Sequence, residues 1–283
     1  MSLSILTVHA HPDDESSKGP GTINLYAAEG IRTTLVCCTG GEEGDILNPA
    51  MERQEVKDNL ASVRRAELDL AASIIGYDEV VMLGYRDSGM PDSEANKHPD
   101  AFANVDLDSA VGKLVAVIRR VRPQVVMTYP EVQNRYPHPD HLQVTAISIP
   151  AFERAGDPDW YPEAGEPFEP LKLYAPIWSK QRLLLTHQAF IDRGLESPYD
   201  EKWLSGRDRD DRINAMIPVD NAIRRKALLA HATQVDPESP FWFGLPEEVQ
   251  DAIHPFEEYM LLRSRIPTDE LEEDLFAGLR GTA

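Results

Sequence analysis

The chain has 283 residues, of which 42% are hydrophobic and 27% charged, as in an ordinary globular protein. Its formal net charge of −20, with no large Lys/Arg cluster, excludes a protein that binds nucleic acid through a basic face. No apolar run is long enough to cross a bilayer and the first residues lack a signal-peptide pattern, so we expect a cytoplasmic protein without membrane contact.

Four short apolar runs in the first 150 residues predict strands. They are rich in β-branched residues, are bounded by Gly, Pro or charged residues, and span residues 4–10, 33–39, 79–85 and 124–130. Helical patterns lie between them, at about residues 19–29, 51–75 and 106–121. This alternation predicts an α/β, Rossmann-like, mostly parallel sheet with helices on both faces.

The second half of the chain carries a weaker pattern. We expect strands at residues 171–178 and 216–219, helices at 181–193 and 221–232, and a terminal helix from about residue 264. Residues 194–212 are charged and turn-rich and could form a lid. We interpret residues 1–283 as a single domain, in which 1–150 form a metal-binding core and 151–283 add substrate-pocket and C-terminal elements.

A polar segment follows each of the first four predicted strands. These segments are HAHPDDE (9–15), TGGEEGD (39–45), GYRDSGM (84–90) and YPEVQNRYPHPDH (129–141). Ligands of an open α/β sheet bind beyond the carboxyl ends of its parallel strands. The four segments are therefore expected to meet at one edge of the sheet and to form one site.

Two of these segments carry residues that suit a catalytic metal ion. His11, Asp14 and His141 offer three ligands of the types that bind zinc and leave a fourth position open. Asp13 lies between the first two and is expected to face the open position, where a carboxylate could take a proton from water. His138 precedes His141 by three residues at a predicted helix start, so the two should share a helix face.

Other interpretations of the same residues are weaker. An isolated histidine is more often a hydrogen-bonded structural residue, and we interpret His9 in this way, whereas His231 remains a candidate pocket residue. The chain contains no GxSxG nucleophile elbow and no GxGxxG phosphate loop, so serine hydrolysis and nucleotide binding are disfavoured. The adjacent Cys37 and Cys38 should point to opposite faces of a strand as small buried side chains.

The combined motifs resemble those of the LmbE-like zinc deacetylases. The resemblance is carried by AHPDDESSKG, TGGEEGDILNP, RRAEL, GYRDSGM and YPHPDH, and it returns at HATQVDP and PFEEY. It implies one Zn²⁺ per chain, held by His11, Asp14 and His141, although such ligands also suit Fe²⁺. It also implies that Asp13 is the general base and that His138 stabilises the oxyanion or protonates the leaving amine.

The resemblance implies further roles around the metal. Tyr136 would help to polarise the substrate carbonyl, and Asp140 would orient a histidine ligand. Substrate-binding residues on the sugar or inositol portion would be Arg64 and Asp87, with Asp45 nearby. Lys18 matches the branch of the family that cleaves mycothiol S-conjugates rather than the branch that deacetylates acetylglucosaminyl-inositol.

The implied activity is hydrolysis of an amide on a glucosamine nitrogen in a small glucosaminide or thiol conjugate. Two departures from the family pattern affect only substrate identity: Asn134-Arg135 replaces a frequent Gly-Gly pair, and Asp45 stands where Glu can occur. A deacetylase of N-acetylglucosaminyl conjugates remains the alternative with the same chemistry. A sugar-binding module without catalysis remains the alternative that is not an enzyme.

Overall fold

The computed structural model describes residues 2–133, 137–205 and 212–281, and its strands form one sheet. The strands are β1 Ser4–His9, β2 Arg32–Thr39, β3 Glu79–Tyr85, β4 Val125–Met127, β5 Lys172–Ile177, β6 Ala215–Pro218 and β7 Phe256–Ser264. Their order across the sheet is β3-β2-β1-β4-β5-β7-β6. Strands β1 to β5 are parallel, whereas β7 pairs antiparallel with β5 and β6. The predicted mostly parallel α/β sheet is confirmed.

Helices connect the strands and pack around the sheet. They are α1 Asp14–Ser17, α2 Pro20–Ala28, α3 Gln54–Lys57, α4 Leu60–Ile75, α5 Leu107–Val121, α6 Pro139–Arg154, α7 Lys180–Ile191, α8 Glu201–Leu204, α9 Asn221–Ala230, α10 Pro240–Phe243 and α11 Glu247–Ile253. None of these helices combines the length and the apolarity of a membrane span.

The helix predicted at residues 51–75 is interrupted at residues 58–59, and that prediction is wrong in its first third. The chain leaves α3 after Lys57 and re-enters a helix at Leu60. The Asn59 side-chain amide donates to the Glu55 carbonyl at 2.9 Å. An asparagine that bonds the backbone in this way competes with the helical hydrogen bonds, which explains the break.

The core has two layers because successive side chains of a strand point to opposite faces. Leu6 and Val8 of β1 pack with α5 and α6 on one face, and Ile5 packs with α2 and α9 on the other. Cys37 and Cys38 are both buried and unpaired, and they belong to clusters on opposite faces of β2. The interpretation of the cysteines as small buried side chains is therefore confirmed.

The strand order creates a crevice beside β1. The chain proceeds outward from β1 to β2 and β3 and then returns to place β4 against the other side of β1. Where strand order reverses in this way, the loops after the two central strands diverge and leave space for a ligand. The segment after β1 and the segment that leads into α6 therefore face one another across the crevice.

The C-terminal part differs from its sequence prediction in two places. Residues 256–264 form β7. The sequence does not predict this strand because Glu257 and Glu258 interrupt its apolar run. The expected terminal helix is absent from residues 265–281, which form turns. In those turns Leu275 and Phe276 are buried in the core, held by a hydrogen bond from the Leu275 amide to the Tyr26 hydroxyl at 2.7 Å.

The segment predicted as a lid extends beyond the described part of the chain. Residues 194–205 are described and include α8, whereas residues 206–211 lie outside the described residues. Lid function therefore stays a prediction, as does the division into a metal-binding core and added pocket elements.

Candidate metal centre and active site

The predicted metal ligands lie together at the edge of the crevice. His11, Asp14 and His141 each present a ligand atom within 4.8 Å of the other two, and all three residues are buried. His11 Nδ1 is 3.4 Å from Asp14 Oδ2, and His141 Nε2 is 3.3 Å from Asp14 Oδ1. Two imidazoles and a carboxylate around one point form a donor set that fits a zinc ion with an open fourth position.

Local backbone geometry brings these side chains together. Asp14 begins α1 directly after the turn that follows β1, and its carboxylate accepts the His11 backbone N–H at 3.0 Å. His138 is the N-cap of α6, and its Nδ1 accepts the Asp140 backbone N–H at 3.2 Å. Pro139 at the first helical position favours a helix start here, so His141 projects from the first turn of α6.

A second group of potential metal ligands overlaps the first. His11, His138 and Asp140 also present ligand atoms within 4.8 Å of one another. However, His11 Nε2 is 3.1 Å from Asp140 Oδ2, whereas its Nδ1 faces Asp14. Asp140 also accepts hydrogen bonds from the Ser88 hydroxyl and backbone N–H, so this buried carboxylate is occupied as an orienting partner of His11.

Asp13 adopts a backbone conformation that non-glycine residues rarely use. Its φ is 113°, in the left-handed region. The Arg64 guanidinium donates to the Asp13 carboxylate at 2.9 Å and to the Pro12 carbonyl at 2.5 Å. Glu15 accepts the Asp13 backbone N–H at 3.0 Å. These contacts hold Asp13 in its strained conformation between two of the predicted ligands.

A fully buried pair supports this turn from behind. Glu15 Oε1 is 2.6 Å from His231 Nε2, and both side chains are completely inaccessible to solvent. Burial acts against a charged imidazole, but Glu15 outweighs burial and raises the pKa of His231. His231, which the sequence left as a candidate pocket residue, therefore contacts the turn through Glu15 and not the metal ligands directly.

The other predicted site residues differ in their distance from the candidate metal ligands. Asp87 Oδ1 lies 3.6 Å from His11 Nε2 and accepts the Gly89 backbone N–H, and Asp87 Oδ2 accepts that of Glu43. Lys18 Nζ lies 2.5 Å from Asp14 Oδ1 at the rim of the site.

Asp45 is exposed, and its backbone carbonyl accepts a hydrogen bond from the Gln234 side chain at 3.0 Å. Tyr136, a predicted catalytic residue, lies outside the described residues.

Sequence reasoning missed two supporting residues of the site. The Tyr129 hydroxyl accepts the Ala10 backbone N–H at 2.9 Å, and its ring centroid lies 4.7 Å from that of His141. The Ser88 hydroxyl donates to the Asp140 carboxylate. Both residues follow the carboxyl ends of strands, and that position could have indicated that they lie near the site.

The protonation behaviour of the site follows from burial and close opposite charges. Burial would raise the pKa of Asp14, but His141 and Lys18 outweigh burial and hold it well below its usual range. Burial raises the pKa of Asp13, and Arg64 offsets part of that rise. Burial, together with the neighbouring His11 and His141, lowers the pKa of His138 to about 4. The two adjacent aspartates thus differ in proton affinity, with Asp13 the better proton acceptor.

Comparisons with known proteins agree with the geometry. A family profile described as PIG-L, GlcNAc-PI de-N-acetylase, matches residues 6–152. The chain is 44% identical over 292 residues to a mycothiol S-conjugate amidase from Streptomyces coelicolor, with 99% of each chain covered. It is 40% identical over 293 residues to a 1D-myo-inositol 2-acetamido-2-deoxy-alpha-D-glucopyranoside deacetylase from Geodermatophilus obscurus, again with 99% of each chain covered. Amidases and deacetylases both hydrolyse an amide bond.

A solved structure shares the fold at lower sequence similarity. N,N'-diacetylchitobiose deacetylase from Pyrococcus horikoshii superposes with a TM-score of 0.63 and 17% identity, covering 92% of this chain and 84% of that chain. This similarity supports the fold, and the family assignment rests on the profile and on the relatives. The resemblance seen in the sequence motifs is therefore confirmed, and the chain belongs to the PIG-L, or LmbE-like, family of amide-bond hydrolases.

Proposed function

We propose that this protein is a zinc-dependent amidohydrolase that cleaves mycothiol S-conjugates at the amide on the glucosamine nitrogen. The products would be glucosaminyl-inositol and an N-acetylcysteine S-conjugate. The single observation that carries the proposed chemistry is the convergence of His11, Asp14 and His141 within 4.8 Å, with Asp13 held between two of them. The choice of substrate is supported by the relative that is 44% identical over nearly the whole chain.

The donor set fits zinc by its chemistry. His11, Asp14 and His141 provide nitrogen and oxygen ligands, and Asp140 orients His11 as carboxylates commonly orient histidine ligands. When bound there, zinc polarises a carbonyl and lowers the pKa of water to about 7. A cytoplasmic location, with its reducing environment, fits the two unpaired cysteines and the thiol-derived substrate.

The residues of the chain itself then perform the proton transfers. Asp13 accepts the proton of the attacking water, and the Arg64 contact fixes the direction of its carboxylate. His138 lies beside His11, with ring centroids 4.7 Å apart, and is placed to hold the oxygen that becomes negative or to protonate the leaving amine. One such donor typically contributes about 3 kcal/mol to transition-state stabilisation. Tyr136 is proposed to share this task.

The glucosaminyl-inositol portion is proposed to bind on the side of β2 and β3. Asp87 and Asp45 follow those strands and offer carboxylates to sugar hydroxyls, and Arg64 borders the same region. Lys18 lies on the other side of Asp14 and is proposed to face the acyl portion of the substrate. This arrangement would place the scissile amide over the metal ligands.

A substrate panel tests the proposal against deacetylation, the second candidate function. The acetylated glucosaminyl-inositol is the substrate named for the relative that is 40% identical, so that activity has a specific observation in its favour. Metal-loaded enzyme should be incubated with this compound and with a mycothiol S-conjugate, and the products identified by mass. We expect a kcat/KM at least about tenfold higher for the S-conjugate, a difference of about 1.4 kcal/mol. A higher value for the acetylated compound would favour the deacetylase.

A further inference from the structure

A cavity lined by aromatic and arginine side chains lies beside the proposed active site. It holds about 650 Å³ of empty space, part of it open to solvent, and its lining includes Trp178, Tyr199, Phe241, Trp242, Arg182 and Arg224. A smaller cavity of about 330 Å³ shares Trp178 and both arginines with it. The smaller cavity also reaches Lys18, whose ammonium contacts the ligand Asp14. The smaller cavity therefore lies between Lys18, beside the candidate metal ligands, and the aromatic lining.

Aromatic side chains pack against one another along one wall of the larger cavity, which is called the aromatic slot below. The rings of Trp178 and Phe241 are nearly parallel, with an interplanar angle of 18° and centroids 5.9 Å apart. Trp242 meets both rings edge-on, and Tyr199 lies 5.8 Å from Phe241. Trp178 and Trp242 remain partly exposed, so their surfaces are available to a ligand. The parts of these rings that face the cavity can bind planar, apolar groups through edge or offset contacts.

Two arginines without anionic partners border the slot. The Arg182 and Arg224 guanidinium groups lie 4.4 and 5.1 Å from the Trp178 ring centroid. Across the described ranges, no carboxylate lies within 4.0 Å of either group, and Arg224 Nε is buried without a hydrogen-bond acceptor. Burial, together with the neighbouring Arg224, lowers the pKa of Arg182 to about 9. Two like charges held together in a chain of net charge −20 indicate a site for an anion.

The nearest acidic side chains have other partners. Glu257 accepts the backbone N–H groups of Gly21 and Thr22 and the Thr22 hydroxyl. Glu258 accepts the Ser179 backbone N–H at 3.0 Å. Both carboxylates line the smaller cavity, and Glu257 attracts both arginines at longer range while Glu258 attracts Arg182. Neither carboxylate lies within 4.0 Å of either guanidinium group. An anionic ligand could therefore meet both guanidinium groups.

The position of the cavity relative to the sheet indicates which part of a substrate it would receive. Trp178 directly follows β5, and Phe256 to Glu258 begin β7, so the cavities lie on the β4–β5–β7 side of β1. Asp45 and Asp87 follow β2 and β3, on the opposite side of β1. An amide substrate centred on the metal ligands has an amine portion and an acyl portion, and these extend in opposite directions. With the sugar portion proposed to bind on the β2–β3 side, the acyl portion would extend toward the aromatic slot.

We infer that this slot binds the S-substituent of the conjugate and selects substituents that are aromatic and carry a carboxylate, which Arg182 and Arg224 bind. The inference rests on the proposed amidase function, because a deacetylase would place only a methyl group on this side of the metal. It extends that function by naming the chemical class of conjugate that the enzyme prefers.

The test compares four conjugates of the same thiol: S-methyl, S-benzyl, S-carboxymethyl and S-(4-carboxybenzyl). For the metal-loaded wild-type enzyme we expect kcat/KM for the 4-carboxybenzyl conjugate to exceed that of the benzyl conjugate about tenfold or more, since a charge-assisted bond to a half-buried guanidinium is strong. The S-benzyl conjugate should in turn exceed the S-methyl conjugate, and the S-carboxymethyl conjugate should gain less from its charge. Equal values for the benzyl and 4-carboxybenzyl conjugates would overturn the inference while the amidase function stands.

Variants locate the effect in the slot. Arg224→Met and Arg182→Met should each reduce the ratio of the 4-carboxybenzyl to the benzyl value by about tenfold. Lys226→Met, an exposed cation on the same helix as Arg224, serves as the matched control and should leave the ratio within about twofold of wild type. An unchanged ratio in both arginine variants would also overturn the inference.

Direct binding covers the case in which no conjugate is hydrolysed or a variant fails to fold. Isothermal titration of the wild-type protein should show tighter binding of N-acetyl-S-(4-carboxybenzyl)cysteine than of N-acetyl-S-benzylcysteine, with quenching of tryptophan fluorescence. Hydrolysis of none of the four conjugates would refute the proposed function, whereas the binding preference would still support the slot. Equal affinity for the two ligands would refute the slot whatever the result for hydrolysis.

Discussion

Arg64 and Asp13 are joined by a hydrogen bond of 2.9 Å between Arg64 Nη2 and Asp13 Oδ2, at the point where the chain adopts a left-handed backbone. Arg64 also donates to the Pro12 and Gly41 carbonyls, each at 2.5 Å. One buried guanidinium therefore fixes both the strained turn and the proposed general base. The contact suggests that Arg64 positions Asp13, in addition to or in place of binding sugar.

Replacement of Arg64 distinguishes these roles. In Arg64→Met we expect kcat to fall about tenfold or more with a small change in KM, because a misdirected base slows proton transfer. The lost donors also leave two buried carbonyls unsatisfied, and the free energy of unfolding should fall by about 1–3 kcal/mol. Arg65→Met, which removes an exposed arginine that pairs with Asp69, is the control. A large rise in KM with unchanged kcat would instead identify Arg64 as a sugar-binding residue.

Asp13→Asn tests the general base with little change in shape. Asparagine tolerates a left-handed backbone and keeps the side-chain volume, so the variant should fold and retain its metal. Its amide cannot take a proton, and kcat should therefore fall about 10²–10⁴-fold. Activity assays and metal analysis of the same sample separate a loss of catalysis from a loss of bound metal. Activity within a few-fold of wild type, at equal metal content, would exclude Asp13 as the base.

The buried Glu15–His231 pair should contribute strongly to stability. In His231→Gln, the Glu15 charge remains buried without its partner at 2.6 Å, and the free energy of unfolding should fall by about 3–5 kcal/mol. The double variant Glu15→Gln/His231→Gln removes the charge as well and should recover part of that loss. Urea unfolding followed by far-UV circular dichroism measures both values. If the free energy of unfolding of His231→Gln falls by less than about 1 kcal/mol, the pair does not contribute strongly to stability.

His254 should make stability depend on pH. Burial, with the nearby Arg182 and Arg224, lowers the pKa of His254 to about 2. A histidine whose folded pKa is depressed contributes stability that is complete above its unfolded pKa near 6.5 and is lost as the pH falls below that value. Between about pH 6 and pH 4, this group should remove about 1.4 kcal/mol per pH unit.

Urea unfolding at several pH values checks this dependence in wild type and in His254→Asn. The variant lacks the titrating group. The slope of its free energy of unfolding against pH should therefore be smaller in the same interval, by the amount that corresponds to about one bound proton per molecule. His98→Asn, which changes an exposed histidine, should keep the wild-type slope. Parallel curves for wild type and His254→Asn would contradict the assignment.

The sheet and the convergence of the three candidate metal ligands could be predicted because their signals are local. Continuous β-branched runs identified β1 to β3 closely, and the rule for parallel sheets placed His11, Asp14 and His141 at one edge. The adjacent strand residues Cys37 and Cys38 could be assigned to opposite faces by alternation alone.

Features that depend on distant partners could not be predicted from the sequence. Strand β7 is interrupted by Glu257 and Glu258, and these carboxylates are tolerated because backbone N–H groups far away in the sequence bind them. The contact of Glu15 with His231 joins residues 216 positions apart, and no local pattern in either segment predicts it. The aromatic slot likewise depends on tertiary packing of α7, α9 and α10.

The most direct test of the account is the metal content of purified protein, measured by inductively coupled plasma mass spectrometry together with turnover of a mycothiol S-conjugate. We expect about one zinc ion per chain in the wild type and in the control His98→Ala, as for a site with one three-ligand centre. Asp14→Ala and His141→Ala should each hold less than about a tenth of that metal and lose turnover by at least about 10³-fold, with folding intact by circular dichroism. Wild-type metal content in both ligand variants, or full turnover after removal of the metal by a chelator, would contradict the central claim.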